Sequence, residues 1–261
     1  MRLALFTSNS LRHKYFANRL AELADEAVVV CEVKRSDADA DNADDMIFRK
    51  HFQARFDEES RQFAAHSSFN LNAIPIVHGE VNFPNILKTI TEFEPDATVI
   101  FGSSIIREPL LSFLPTRRTI NLHLGMSPYY RGSGTNFWPF VNSELEYVGA
   151  TLLHLDAGVD KGAIICHARP VFSVDDDVHT IGCKTVKVAV DSIRECLYRL
   201  KQGRPLPGVE QWSDAPLTRY YRRSDVTAEI LERYQKNIRD GVVAKYLEEV
   251  KLPLRMVQLE E

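Results

Sequence analysis

Paired cysteines, glycine-rich loops, excess basic charge and long apolar runs are all missing from this chain, and each absence removes a class of protein. The 4 cysteines, Cys31, Cys166, Cys183 and Cys196, are scattered with no short paired spacing, so neither a zinc site nor a disulfide framework is indicated. Reduced thiols and no bound metal are expected. The apolar run Leu3 to Phe6 near the amino terminus is too short for a signal peptide or a membrane span, which points to a cytoplasmic protein. A formal net charge of −4 argues against a strongly basic nucleic-acid binder, because neutralising phosphates needs clustered Lys and Arg. A local basic patch is still compatible with it. The first loop, TSNSLRHKYF, carries no glycine where phosphate-cradling loops carry several.

What is present is the length and pattern of an α/β enzyme. With 261 residues, 44% of them hydrophobic, the chain can bury a substantial core in one domain with an appendage. Strand-like runs recur at Leu3 to Thr7, Ala27 to Val33, Ile74 to His78, Ala97 to Phe101 and Thr119 to Leu124. Between them, Phe16, Leu20, Leu23 and Ala24 follow helical spacing, and Val81 to Phe93 reads as a helix. Val186, Val190, Ile193, Leu197 and Leu200 define a long buried helix further on. This alternation predicts a Rossmann-like, mostly parallel sheet flanked by helices, with a small C-terminal appendage. The expected division is a catalytic domain over 1–204, with a helical insertion at 34–72, and an extension over 205–261. Ligands should meet such a sheet beyond the carboxyl ends of its strands, where Ser8, Gly102 and the loop after His123 fall.

Within the insertion, an acidic stretch, SDADADNADD, reads as a mobile loop. The helix after it carries Phe48, Phe52 and Phe56 at i+4, read as the core face, and His51, Arg55 and Glu59 at the same spacing, read as a solvated face with local ion pairs. A substrate lid or a partner surface is the alternative use of that polar row. The extension from about Pro205 ends in an amphipathic helix around Ala228 to Val250.

The chemistry concentrates in two segments. TINLHLGMSPYYRGSG runs a strand into a turn, so Asn121 and His123, two apart, share a face. GATLLHLDAGVDKGAIICHARPVF flanks the loop DAGVDKG with two β-rich runs and places Asp160 in that loop. Taken singly, His123 is a core histidine, Asn121 a turn former and Asp160 a loop residue. Together they suit acyl transfer to an amine. An amide N–H from Asn121 can stabilise an oxyanion, His123 can move a proton, and Asp160 can orient the imidazole.

These segments resemble the 10-formyltetrahydrofolate-dependent formyltransferase family, which includes glycinamide ribonucleotide, methionyl-tRNA and sugar N-formyltransferases. Asn121-Leu122-His123 fits its Asn-x-His, Pro128 its proline, Tyr130-Arg131-Gly132 its Arg-Gly turn and Asp160-Lys161-Gly162 its Asp-x-Gly. The resemblance is strongest from about Asp96 to Val171. It implies 10-formyltetrahydrofolate as formyl donor and Asn121, His123 and Asp160 as the catalytic triad. It also implies that Ser104, Ile105, Ile106 and Arg107 form the hinge that holds the pterin, with Leu155, Asp156 and Val159 in the opposite wall. This chain departs from the family at Leu124-Gly125-Met126-Ser127, where Pro-Ser-Leu-Leu is common, and at Lys161, where a small polar residue is usual.

For the acceptor, the expectation is a small-molecule amine, in the first place a nucleotide-linked amino sugar. Ser10, Arg12 and Lys14 near the first helix are candidates for its charged handle, Tyr221 and Arg222 for its base and phosphates, and Tyr130, Arg131 and Gly132 for the loop around it. For the first loop and the tail, a capped helix with a solvated basic turn and an arginine-rich turn are the structural alternatives. Other open readings are a formyltransferase for aminoacyl-tRNA or a purine intermediate, a hydrolase of the folate, and a folate- or nucleotide-binding module without turnover. Neither a membrane nor nucleic acid is indicated as partner, and a homodimer is left open.

Overall fold

The computed structural model describes residues 1–34, 46–158, 160–249 and 253–259. In chain order the elements are β1 (Arg2–Ser8), α1 (Leu11–Ala21), β2 (Glu26–Val33), α2 (Met46–Phe63), β3 (Asn72–Val77), α3 (Pro84–Phe93), β4 (Ala97–Ile100), α4 (Leu110–Phe113) and β5 (Thr119–His123). After them come β6 (Tyr130–Gly132), α5 (Trp138–Asn142), β7 (Ala150–His154), β8 (Ile164–Ala168), α6 (Val178–Lys201), β9 (Arg219–Tyr221), α7 (Ala228–Arg239) and α8 (Val242–Glu248).

Alternation along the apolar strands builds a three-layer core. Leu3 and Leu5 of β1 join Phe16, Ala17 and Leu20 of α1 and Val186, Val190, Ile193 and Leu197 of α6 on one face. Ala4 and Phe6, one residue out of phase, join Ile86 and Ile90 of α3 and Leu110 of α4 on the other. The resulting sheet has the order β3-β2-β1-β4-β5-β7-β8. Pairing is parallel from β3 through β5, after which β7 and β8 run antiparallel. The architecture is therefore α/β with a mostly parallel sheet. The order turns back at the β1–β4 pair, so the crevice beyond their carboxyl ends is the natural ligand position.

A second, aromatic core holds the region after β5. Tyr129, Tyr130, Phe137, Trp138 and Phe140 pack with Trp212, Leu231 and Tyr234, so residues beyond 205 are built into the same core as the loop that follows His123. Parallel pairing of β6 with β9 adds backbone hydrogen bonds to that junction. Helix α6 starts on a capping box, in which the Asp177 carboxylate accepts from His179 and Thr180 N–H, a device of about 1 kcal/mol.

Four local expectations are corrected. The helix expected from Val81 begins at Pro84, whose ring suits the first helical position. The helix expected over Ala228 to Val250 is two helices, parted at Gly241 with φ of 75°. On α2 the Phe stripe is only partly core, since Phe48 is buried and Phe56 is 60% exposed. The polar row on the same helix turns inward: Glu59 is only 5% exposed, and the His51 ring lies against Phe137, His179 and Tyr234. The acidic stretch at 36–45 lies outside the described residues. No helix among the described residues is long and apolar enough to cross a membrane.

Candidate active site

β5 sends Ile120 and Leu122 into the core and leaves Asn121 and His123 on the other face. β7 and β8 form a hairpin whose loop brings Asp160 to that face. Asp160 takes a left-handed backbone with φ of 51°, a conformation Asp tolerates better than most residues. Its carboxylate meets both partners: Oδ1 accepts from Asn121 Nδ2 at 3.3 Å, and Oδ2 lies 3.3 Å from His123 Nδ1. His123 is only 6% exposed. The other ring nitrogen, Nε2, lies 3.0 Å from the carbonyl of Tyr130. A carbonyl only accepts, so Nε2 carries a hydrogen and Nδ1 is the ring nitrogen that faces Asp160.

The surroundings leave this geometry little freedom. A methyl at Gly125 would stand 2.5 Å from His123 Nε2 and 2.6 Å from Thr135 Cβ, so glycine makes room for the imidazole. Thr151 Oγ1 accepts from Ser127 N–H at 2.9 Å and donates to Gly125 C=O at 2.6 Å, and Thr135 Oγ1 donates to Leu124 C=O. On the Asp160 side, a Cβ at Gly162 would stand 1.8 Å from the His154 carbonyl oxygen, a contact only glycine permits. Gln211 Nε2 donates to Asp160 C=O at 2.7 Å and to Gly162 C=O at 3.0 Å, so the C-terminal segment steadies the loop that carries Asp160. Thr135, Thr151 and Gln211 carry no motif that would single them out in the sequence.

The hinge segment follows β4. Ser104 N–H and Oγ contact Glu32 Oε2 at 2.7 and 3.1 Å, Ile105 C=O accepts from Asn82 Nδ2 at 2.9 Å, and Arg107 N–H donates to Asn82 Oδ1 at 2.8 Å. A groove of ≈ 360 Å³ lies here, lined by Gly79, Asn82, Ser103, Ser104, Ile105 and Arg107. Leu155 packs against the apolar cluster that contains Ile106, which brings the expected opposite wall next to the hinge. Asp156 Oδ1 accepts from Gly158 N–H at 2.8 Å, and Val159 lies outside the described residues.

Among the residues expected near the acceptor, several are already engaged within the chain. Ser10 does not cap α1 with its side chain; its Oγ lies 2.9 Å from His13 Nδ1. Burial, and then the neighbouring Arg12 charge, hold the His13 pKa well below its ordinary value, so the ring is neutral. Arg12 Nε donates to Glu59 Oε1 at 2.8 Å, Arg55 Nε donates to the same oxygen at 2.8 Å, and Lys14 Nζ donates to Ser67 C=O at 2.7 Å. Tyr130 is fully buried, with its hydroxyl on Glu144, and burial pushes that hydroxyl's pKa up. Only its backbone faces His123. Tyr221 stacks on Trp138 with ring centroids 3.9 Å apart, so one of its faces is taken. Arg131 and Gly132 lie on β6 beside β9, and Arg222 is exposed.

Fold and site together define an α/β group-transfer architecture with an Asn, His and Asp centre at the sheet's carboxyl end. A family model described as formyl transferase matches residues 54–197, and the chain belongs to that family. It is 30% identical over 135 residues to a methionyl-tRNA formyltransferase of Caldanaerobacter subterraneus subsp. tengcongensis, a match covering 51% of this chain and 43% of that protein. The matched part is thus less than half of that relative's length. A phosphoribosylglycinamide formyltransferase structure from Anaplasma phagocytophilum superposes with a TM-score of 0.56 at 15% identity, covering 85% of this chain and 98% of its own. An N-formyltransferase from Helicobacter canadensis, solved with folinic acid and dTDP-3-aminofucose, gives 0.54 at 14%, covering 94% and 81%. At such identities the likeness is one of fold.

Proposed function

We propose that this protein moves a formyl group from 10-formyltetrahydrofolate to the amine of a small molecule, with a nucleotide-linked amino sugar as the first acceptor to test. The observation that carries the reaction type is the convergence of Asn121, His123 and Asp160, each within 3.3 Å of another member, inside the matched segment. Support for a folate site comes from the hinge Ser104 to Arg107, which borders a groove, and from Leu155, which packs against the apolar cluster that contains Ile106.

The donor supplies the formyl carbon. The acceptor nitrogen forms a bond to that carbon, the bond from the carbon to the folate nitrogen breaks, and the proton lost by the amine ends on that nitrogen. Asn121 Nδ2 donates to the oxygen on which charge develops, and His123 Nδ1 relays the proton with Asp160 holding the charge that appears on the ring. Nε2, held by the Tyr130 carbonyl, keeps its hydrogen while Nδ1 takes up and releases the proton. No covalent enzyme intermediate is needed.

The acceptor assignment rests on the family's range of substrates and on the acidic net charge. Methionyl-tRNA is the second reading, favoured by the 30% identical relative. Incubation with 10-formyltetrahydrofolate and a panel of nucleotide amino sugars, alongside methionyl-tRNA, with mass spectrometry for an added formyl group, decides between them. Formylated sugar supports the first reading, and formylated methionyl-tRNA alone replaces it with the second. Folate binding with no product from any amine would refute both.

A further inference from the structure

Glu32 is a carboxylate with a fully buried side chain at the end of an otherwise apolar strand, VVVCEV, a position where charge costs several kcal/mol unless it is fully bonded. Oε1 accepts from Gly79 N–H at 3.0 Å, in the turn after β3. Oε2 accepts from Ser104 N–H at 2.7 Å and Ser104 Oγ at 3.1 Å, in the hinge after β4. His78 Nδ1 at 3.3 Å and Lys34 Nζ at 3.7 Å complete the surroundings, and Lys34 Nζ itself donates to Gly102 C=O at 2.6 Å. Burial favours the protonated acid, but the bonds from Gly79 and Ser104 and the Lys34 charge outweigh it and hold the pKa below the ordinary carboxylate range.

One buried anion thus joins the loops that follow β2, β3 and β4, and the groove at the hinge is lined by residues of the latter two. Asn82 makes the complementary clip through Ile105 C=O and Arg107 N–H. The two clips bracket Ile106, whose side chain is buried in the apolar cluster against which Leu155 packs. The hinge backbone is therefore fixed at Ser104, Ile105 and Arg107 by the side chains of Glu32 and Asn82.

We propose that Glu32 is a positioning residue for the folate donor, fixing the backbone of the Ser104 to Arg107 hinge through Ser104 and Gly79 while touching neither reactant. The inference rests on the folate reading of that hinge. Replacing the carboxylate by an amide puts an N–H donor where three donors now converge, so one clip is lost while the side-chain volume is kept.

Glu32→Gln and Glu32→Asp are compared with the unaltered chain, using folinic acid binding by calorimetry with no amine present, amide exchange over 102–107, and steady-state kinetics. The expected result for Glu32→Gln is faster exchange at the hinge and folinic acid affinity weaker by about tenfold or more. The donor KM should rise with it, while kcat at saturating donor stays within about twofold. Glu32→Asp, one methylene shorter, should fall between the two and carries the comparison alone if Glu32→Gln does not fold. If the unaltered chain binds folinic acid and both variants bind it equally, the positioning role is overturned and the folate reading stands. Weaker binding together with an equal loss of kcat also overturns it, in favour of general destabilisation. No binding by the unaltered chain overturns both.

Discussion

Glu59 is a buried carboxylate that meets two arginines, and its removal has a calculable effect. One carboxylate oxygen serves two guanidiniums, Arg12 from α1 and Arg55 from α2, with Glu59 and Arg12 largely buried and the Arg55 side chain 30% exposed. Burial raises the Glu59 pKa, but the charges of Arg12 and Arg55 and their hydrogen bonds win and bring it down from 4.5 to about 2. At about 1.4 kcal/mol per tenfold, that depression corresponds to about 3 kcal/mol of stability. A depressed carboxylate contributes fully above its unfolded value and loses that contribution as pH falls through its folded value. The window is therefore from about pH 4.5 down to about pH 2. Glu59→Gln discards this contribution and also leaves two guanidiniums facing each other, which brings the expected cost near the 3–5 kcal/mol of a broken buried pair. Against total stabilities of about 5–15 kcal/mol this is a large fraction. Urea unfolding at pH 7 and at steps down to pH 3 measures it. The two proteins should differ by about 3 kcal/mol or more at neutral pH, and the gap should narrow steadily on acidification. A gap under about 1 kcal/mol at pH 7, or one that stays constant with pH, would show that the cluster is a solvated surface pair.

The remaining predictions concern the site. His123→Ala and Asp160→Asn should nearly abolish transfer without unfolding, and Asn121→Ala should cost on the order of a hundredfold in kcat; near-normal turnover by folded His123→Ala would sink the proton-transfer assignment. Gly162→Ala should move the Asp160 loop, because its Cβ would stand 1.8 Å from the His154 carbonyl oxygen, and a variant retaining full activity would show that Asp160 need not be held where it is. Arg222→Ala should raise the acceptor KM more than it lowers kcat, whereas Arg12→Ala should lower the unfolding midpoint, since Arg12 is spent on Glu59. Unchanged kinetics in Arg222→Ala would return that residue to the solvated surface.

Legibility in the sequence followed the range of the interaction. Strands whose residues alternate between two buried faces announce themselves, and β1, β2, β4 and β5 lie within a residue of their expected bounds. Asn121 and His123 were legible because a period of two places both on one face regardless of what surrounds them. Asp160 needed the family motif, since nothing local says that a hairpin loop 37 residues on folds back to 3.3 Å from His123 Nδ1. Gln211, Thr135 and Thr151 act through one or two hydrogen bonds each to backbone elsewhere in the chain, which leaves no periodic trace. Glu32 was not legible in the sequence either, because the donors that let a carboxylate stay buried there, Gly79 and Ser104, come from loops 47 and 72 residues on.

Helix α2 shows where periodicity stops. Phe48, Phe52 and Phe56 and His51, Arg55 and Glu59 have the same i+4 spacing, so each row shares a face, and hydrophobicity assigns the inside to phenylalanine. What decides is the partner surface. α2 packs on α1, which presents Arg12, and on α6, which presents His179, and a buried cation and histidine must be met by groups that can bond them. Turning Phe56 outward costs part of one aromatic burial, about 1–2 kcal/mol, while leaving Arg12 unpaired in the same place would cost several. The rotation of α2 is thus set by the charge it has to satisfy. It follows that Phe56→Ser should be nearly neutral in stability while Glu59→Gln is not; a destabilisation by Phe56→Ser as large as that of Glu59→Gln would mean that apolar burial, and not the arginines, orients the helix.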